Sequence, residues 1–341
     1  MNLLVIGTGS IGERHLRCFQ QLGRCESIAF CETREEQRAL IAERYGIPGE
    51  LAFSDFETAL ESAAFDAAVI ATPAPTHIPF GIRLAEFGIH QLMEKPLSLS
   101  LEGVDAYANL IAEKNLVVAV GYVHRAHPAV AAVKAAIDSG RFGRPLQLRM
   151  TSGQAFATLR PVYRDVYFAK PEMGGGAIND MITHLYNVGD WLAGPIEKIV
   201  TDAEHQALDG VTVEDTVHSM TRQASGAMGS FALNLYQKPN EVIMTVVCEQ
   251  GTLQIEYAKK RWSWMTEPGG EWTHEAVDMP EVDVMYRRQN AAFLDAVEGK
   301  GEVLCSLEEA VRTLRVNLAS HRSVAEESWQ VVKGGATILS P

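Results

Sequence analysis

MNLLVIGTGSIGERHLRCFQQLGRCESIAFCE, residues 1–32, decides the fold. Leu3, Leu4, Val5 and Ile6 form an apolar run that ends in Gly7, Gly9 and Gly12, and Glu32 closes a second apolar run, Ile28 to Phe30. Between the two runs Ile11, Leu16, Phe19 and Leu22 recur at roughly helical spacing. The order is strand, glycine turn, helix, strand, acid, which is the layout of a dinucleotide-binding unit. Gly7 permits the tight turn, Gly9 lets a pyrophosphate reach the backbone, and Gly12 lets the helix pack close to the strand. The N–H groups that open the helix, around Ser10 and Ile11, are placed to hold phosphates. Glu32 is placed to accept hydrogen bonds from ribose hydroxyls, which favours NAD because a 2′-phosphate beside a carboxylate is repelled; Arg34 leaves NADP open.

Working outward, the 341-residue chain exceeds what one core usually supports, so two domains are expected. Hydrophobic content of 47% and charged content of 21% suit a globular protein, and its purely apolar runs are too short to span a bilayer. The N-terminus begins as a strand and not as a signal peptide, so a cytoplasmic address is expected. A formal charge of -13 without a basic stripe argues against nucleic acid as a partner. Five scattered cysteines lack the paired spacings of zinc sites, and no metal is expected.

After Glu32, Thr33 with Glu36 and Ser54 with Glu57 have the spacing of capping boxes that open helices. Ala67 to Ala71 reads as a strand buried on both faces, and further helix and strand alternation runs to Val120. This predicts a doubly wound parallel sheet of the Rossmann type over residues 1–122, with ligands at the carboxyl ends of its strands. From residue 123 to 341 the expected domain is α+β with a large, mostly antiparallel open sheet. Its strand-like runs are Leu146–Thr151, Ile196–Ala203, Thr216–Arg222, Met228–Tyr236, Val242–Cys248 and Thr252–Tyr257. A helix from about Gly176 to Leu192 interrupts the series, and helices near Val284–Val297 and Leu307–Glu326 follow it.

Glu94, Lys95 and Pro96 end a predicted central strand, which sets the lysine ammonium at the sheet edge where a nicotinamide ring would lie. In the second domain Gly174, Gly175 and Gly176 precede a helix on which Asp180 and His184 stand four apart and share a face; a helix salt bridge accounts for such a pair equally well.

Taken together, G-x-G-x-x-G, then E-K-P, then G-G-G-x-x-x-D-x-x-x-H resembles the Gfo/Idh/MocA oxidoreductases, and the resemblance extends to Thr72, Pro73, His77, Gly121, Tyr122, Arg125 and Pro128. It implies that Thr72, Pro73 and His77 lie along the cofactor, that Glu94 and Lys95 lie near the nicotinamide ribose and substrate, and that Asp180 and His184 face the reacting carbon. It also implies an NAD- or NADP-linked oxidation or reduction of a sugar, inositol or related polyol, and a homodimer or homotetramer built through the open face of the second sheet. In such a reaction His184 suits the general base, oriented by Asp180, with Lys95 donating to the reacting oxygen; Lys95 as the proton relay is the alternative. Ile182, Asn187 and Val123 depart from the family pattern, which bears on substrate orientation. Tyr122, Arg125, Tyr163 and Arg164 are further candidates for substrate contact, Tyr163 and Arg164 being equally suited to a capping loop. An NAD-retaining glycosidase and a non-catalytic sugar or NAD sensor are the competing functions on this fold.

Overall fold

The computed structural model describes residues 1–62 and 64–332. The chain forms two compact units, residues 1–123 with 281–311 and residues 124–280 with 312–332. The end of the expected second domain, residues 333–341, lies outside the described residues.

In the first unit, six strands, β1 (Asn2–Ile6), β2 (Ser27–Cys31), β3 (Ala52–Phe53), β4 (Ala67–Ile70), β5 (His90–Met93) and β6 (Val118–Val120), pair in the order β3-β2-β1-β4-β5-β6. Every pairing is parallel. The helices α1 (Ser10–Leu22), α2 (Glu35–Tyr45), α3 (Phe56–Ser62), α4 (His77–Glu86) and α5 (Val104–Glu113) supply the crossovers. All four residues of β4 are buried, as two helix-covered faces require. Strand order reverses between β1 and β4, and the carboxyl ends of these two strands define the switch point where such sheets bind ligands.

Neither capping box forms. Arg34 is the N-cap of α2 and makes no side-chain cap; its own N–H donates instead to the Glu32 carboxylate (3.1 Å). At α3 it is Asp55, not Ser54, that accepts from the N–H of Thr58 (2.8 Å).

The second unit carries α6 (Pro128–Asp138), α7 (Phe156–Leu159) and α8 (Thr183–Ala193) against a nine-stranded sheet. Its strands are β7 (Pro145–Ala155), β8 (Ile196–Glu204), β9 (Thr216–Gln223), β10 (Met228–Asn234), β11 (Tyr236–Cys248), β12 (Gly251–Glu256), β13 (Arg261–Met265), β14 (Thr273–Ala276) and β15 (Gln330–Val331), in the order β14-β13-β12-β11-β7-β10-β9-β8-β15. Among the described residues of this sheet only β7 and β10 pair parallel. Leu148, Met150, Phe231 and Val246 face the core with Leu185 and Tyr186 of α8. Met220 and Met228 stand on the opposite, exposed face.

The chain continues into α9 (Asp283–Val297) and α10 (Leu307–Glu326). Residues 281–311, which the sequence reading assigns to the second domain, belong to the first unit. The cause is packing: Phe293 and Leu294 of α9 lie in one core cluster with Leu16 and Phe19 of α1. The same returning segment covers the edge of β6, where Val120 N–H donates to the Cys305 carbonyl (3.0 Å). Among the described residues no helix is long and apolar enough to cross a membrane.

Candidate active site

The glycine turn has the form a dinucleotide needs. Gly7 sits at φ +82°, and a Cβ built on Gly12 would stand 2.9 Å from the Gly7 carbonyl carbon, so both positions exclude side chains through backbone geometry alone. Gly9 differs: it is extended (φ −64°, ψ −175°), and a Cβ there would meet nothing within 4 Å. The chain gains nothing internally from glycine at that position, whereas an approaching phosphate needs the open backbone. α1 starts at Ser10, so the N–H groups of its first turn have no carbonyl of their own helix to meet. These residues fit a bound pyrophosphate.

Glu32 is 6% exposed at the end of β2. Thr8 Oγ1 (3.0 Å) and the Arg34 side chain (Nε 3.0 Å, Nη2 3.1 Å) all donate to its carboxylate. Burial opposes ionisation, but the Arg34 side chain and N–H, with Thr8, outweigh it and hold the carboxyl down to about 2. Arg34 is thus paired with Glu32, the acid that suits NAD.

Lys95 follows β5, next to β4 in the sheet, and its bond to Pro96 is cis. Its N–H donates to Glu94 Oε2 (3.2 Å). His77 is buried, with Nδ1 2.9 Å from the Pro96 carbonyl and Nε2 2.8 Å from the Thr72 carbonyl. Burial pushes its pKa below the usual value against the pull of those carbonyls. His77 thus ties the Thr72–Pro73 turn to the Lys95–Pro96 turn, and Pro73 is exposed.

In the second unit Asp180 lies in a π-helical turn (Ile178–Ile182) that leads into α8, and π turns occur often at functional sites. Asp180 accepts from the Tyr167 hydroxyl (2.7 Å). The glycine run before it has a partner that sequence did not disclose. Gly176 is at φ +93°, a Cβ there would collide with the Glu214 carboxylate, and Ile178 N–H donates to Glu214 Oε1 (2.9 Å). Burial pushes Glu214 above the usual carboxylate range.

His184 is 8% exposed, and its ring stacks on His124 (centroids 4.7 Å apart). His124 Nδ1 is 3.1 Å from the Tyr257 hydroxyl, and Tyr257 stacks on His127 at 3.8 Å. Burial pushes the Tyr257 phenol up, so it stays protonated near neutral pH and can donate to His124. Tyr257 lies far along the chain from His124 and carries no local motif, so no sequence signal joins the rings.

The remaining candidates make contacts within the protein. Arg125 is buried (1% exposed); its Nε donates to Asn187 Oδ1 (2.7 Å), and its guanidinium lies over Trp191. Asn187 Nδ2 donates in turn to Thr313 (2.9 Å). Tyr122 is buried in the first unit. The Tyr163 hydroxyl (2.5 Å) and Arg164 Nε (2.8 Å) both donate to the Asp209 carbonyl. They clamp the loop before β9, the capping role that their sequence also suits.

Comparison with known proteins places this geometry. Residues 1–122 match the Gfo/Idh/MocA oxidoreductase family model described by its NAD-binding Rossmann fold, and residues 130–254 match the family's C-terminal domain. The chain is 25% identical to levoglucosan dehydrogenase of Pseudarthrobacter phenanthrenivorans, over 96% of this chain and 97% of that protein. It is 27% identical to inositol 2-dehydrogenase of Rhizobium meliloti, over 95% and 96%. Among solved structures, levoglucosan dehydrogenase in complex with NADH and levoglucosan shares the fold with a TM-score of 0.87, at 22% identity, covering 98% of this chain and all of that one. Matched in both its domains, the chain belongs to the Gfo/Idh/MocA family of oxidoreductases with an NAD-binding Rossmann domain.

Proposed function

We propose that the protein is an NAD-dependent dehydrogenase that oxidises a secondary alcohol of a sugar or cyclitol to the ketone. The observation that carries the reading is the pairing, within one sheet edge, of a phosphate cradle at Gly7–Gly12 with Lys95 at the end of β5. The relatives acting on levoglucosan and inositol support the substrate class. Gly7, Gly9, Ser10, Ile11 and Gly12 would hold the pyrophosphate, and Glu32 the adenosine ribose. When bound, NAD supplies the acceptor for the hydride that leaves the carbinol carbon. The hydroxyl proton must leave as well, and His184 takes it as general base. Asp180, fixed by the Tyr167 hydroxyl, favours the imidazolium that results. Lys95 donates a hydrogen bond to the reacting oxygen as negative charge grows there.

The finer readings follow the same lines. The protein works in the cytoplasm and assembles as a homodimer or homotetramer through the sheet face that carries Met220 and Met228; light scattering of the purified protein tests the assembly. A panel of anhydrosugars, inositols, aldoses and uronates, followed by NADH absorbance, tests the reaction. Lys95→Ala is expected to lower turnover by about 10²-fold or more while NAD affinity holds. Full turnover in that variant would remove Lys95 from the chemistry. Hydrolysis of a chromogenic glycoside without net NADH would turn the assignment to a glycosidase.

A further inference from the structure

A buried polar cluster stands directly behind Glu94. His15 lies on α1, one turn past Gly12, and is fully buried (0% exposed). Its Nε2 is 2.8 Å from Glu94 Oε1, and its Nδ1 is 3.0 Å from Asn290 Oδ1 on α9. A carboxylate only accepts, so Nε2–H is the donor to Glu94. The Asn290 amide serves either state of the other nitrogen: Oδ1 accepts from Nδ1–H, and half a turn of the amide offers an N–H to a bare Nδ1. Gly121 closes the remaining side, since a Cβ there would stand 2.6 Å from Glu94 Oε1. The second Glu94 oxygen accepts from Lys95 N–H at 3.2 Å.

We propose that His15 is a positioning residue for Lys95: by holding the Glu94 carboxylate, it ties the end of β5 to the helix whose first turn forms the phosphate cradle. The inference rests on the assignment of Lys95 to the reaction. Its physical basis is economy of connection. α1 is locked to β1 by the close approach of Gly12 to Gly7, so a hydrogen bond from α1 to Glu94 transmits that fixed position to the next residue. Burying an imidazole and a carboxylate costs desolvation, which an apolar side chain packed against Phe19 and Tyr286 would avoid. Asn290 extends the tie to α9 and gives the returning segment a part in aligning the site.

The test separates the two arms of the ring. His15→Gln keeps a donor where Nε2 stood; His15→Asn keeps an amide where Nδ1 stood and cannot reach Glu94. Lysines are labelled by isotopic reductive dimethylation, and the Lys95 resonance is identified as the one that Lys95→Arg removes. In His15→Asn this resonance is expected to shift, while the calorimetric affinity for NAD holds and any measured turnover falls about tenfold or more. In His15→Gln both signal and turnover return toward wild type. A Lys95 resonance unmoved in His15→Asn, or moved equally in both variants in step with their melting temperatures, overturns the proposal. If His15→Asn does not fold, Glu94→Ala removes the acceptor and cuts the same link from the other side, and an unmoved resonance there has the same force. Full turnover in Lys95→Ala would instead remove Lys95 from the chemistry and leave the resonance result standing.

Discussion

Gly12→Ala and Gly9→Ala should part company, because the two glycines answer to different constraints. At Gly12 a methyl group would overlap the Gly7 carbonyl and stand 3.2 Å from Ala71 Cβ. The Gly7 carbonyl oxygen is the nearer neighbour and is backbone, so relief requires the start of α1 to move by roughly 1.5 Å toward an ordinary contact of ~3.5 Å. Overpacking of that kind costs about 2 kcal/mol. For a unit of about 150 residues this lowers the melting temperature by roughly 4–8 °C. The displaced helix start also misdirects the N–H groups around Ser10 and Ile11; losing one charge-assisted hydrogen bond weakens NAD binding by about tenfold or more. At Gly9 the extended backbone accepts alanine without strain, and the methyl meets nothing within 4 Å. Its melting temperature should hold or rise slightly, because alanine restricts the unfolded chain. Its NAD affinity should fall as far as that of Gly12→Ala, since the methyl fills the space a phosphate must enter. Thermal melts and calorimetric titration with NAD on both variants decide the matter. Equal melting losses in the two, or undiminished NAD affinity in Gly9→Ala, would refute the division of labour.

Arg34→Ala should make the fold more sensitive to acid. The folded pKa of Glu32 is depressed to about 2 from 4.5, so its contribution to stability is present above about 4.5 and is lost as pH falls toward 2. Without Arg34 burial dominates and the loss begins at higher pH; circular dichroism against pH in the two proteins reads the shift, and superimposable curves would contradict it. Asp215 is fully buried and accepts from the N–H groups of Gln206 (2.9 Å), Ala207 and Leu208 (2.7 Å each). Burial opposes its ionisation, but those three donors keep its pKa below the usual value, so Asp215→Ala should cost about 3 kcal/mol above pH 4, and a loss under 1 kcal/mol in denaturant titration would count against it. Tyr163→Phe removes the hydroxyl that holds the Asp209 carbonyl and should cost about 1 kcal/mol without changing KM. A raised KM at unchanged stability would return Tyr163 to the substrate.

What sequence made legible was local. Leu3 to Ile6 and Ala67 to Ile70 read as doubly buried strands because their apolar runs are continuous, and the glycines read as a cradle because their spacing carries the turn geometry. The place of Lys95 at a strand end is legible because E-K-P follows the run that forms β5. His15 carries no sequence signal although it shares the buried face of α1 with Gly12, Leu16 and Phe19, since a histidine on an apolar helix face has no pattern until Glu94 and Asn290 arrive from 79 and 275 residues away. The same holds for α9: its periodicity announces a helix, but nothing in it names α1 as the surface it covers. The capping boxes do not form because other carboxylates take the local N–H groups: Glu32 accepts from Arg34 N–H before α2, and Asp55 accepts from Thr58 N–H at α3.

The departures from the family pattern can be judged by where their side chains go. Ile182 is fully buried in the core of the second unit, at the end of the π turn. Asn187, also fully buried, joins Arg125 to Thr313. Both side chains are buried and bear on the seat of the helix that carries Asp180 and His184. That seat is fixed at several points within the unit: Glu214 holds its start, Tyr167 holds Asp180, and His124 stacks on His184. A helix anchored in this way keeps its two polar side chains in one orientation whatever sugar is offered. The segment of residues 156–173, which supplies Tyr167, leaves Leu159 and Val162 exposed beside this anchored helix.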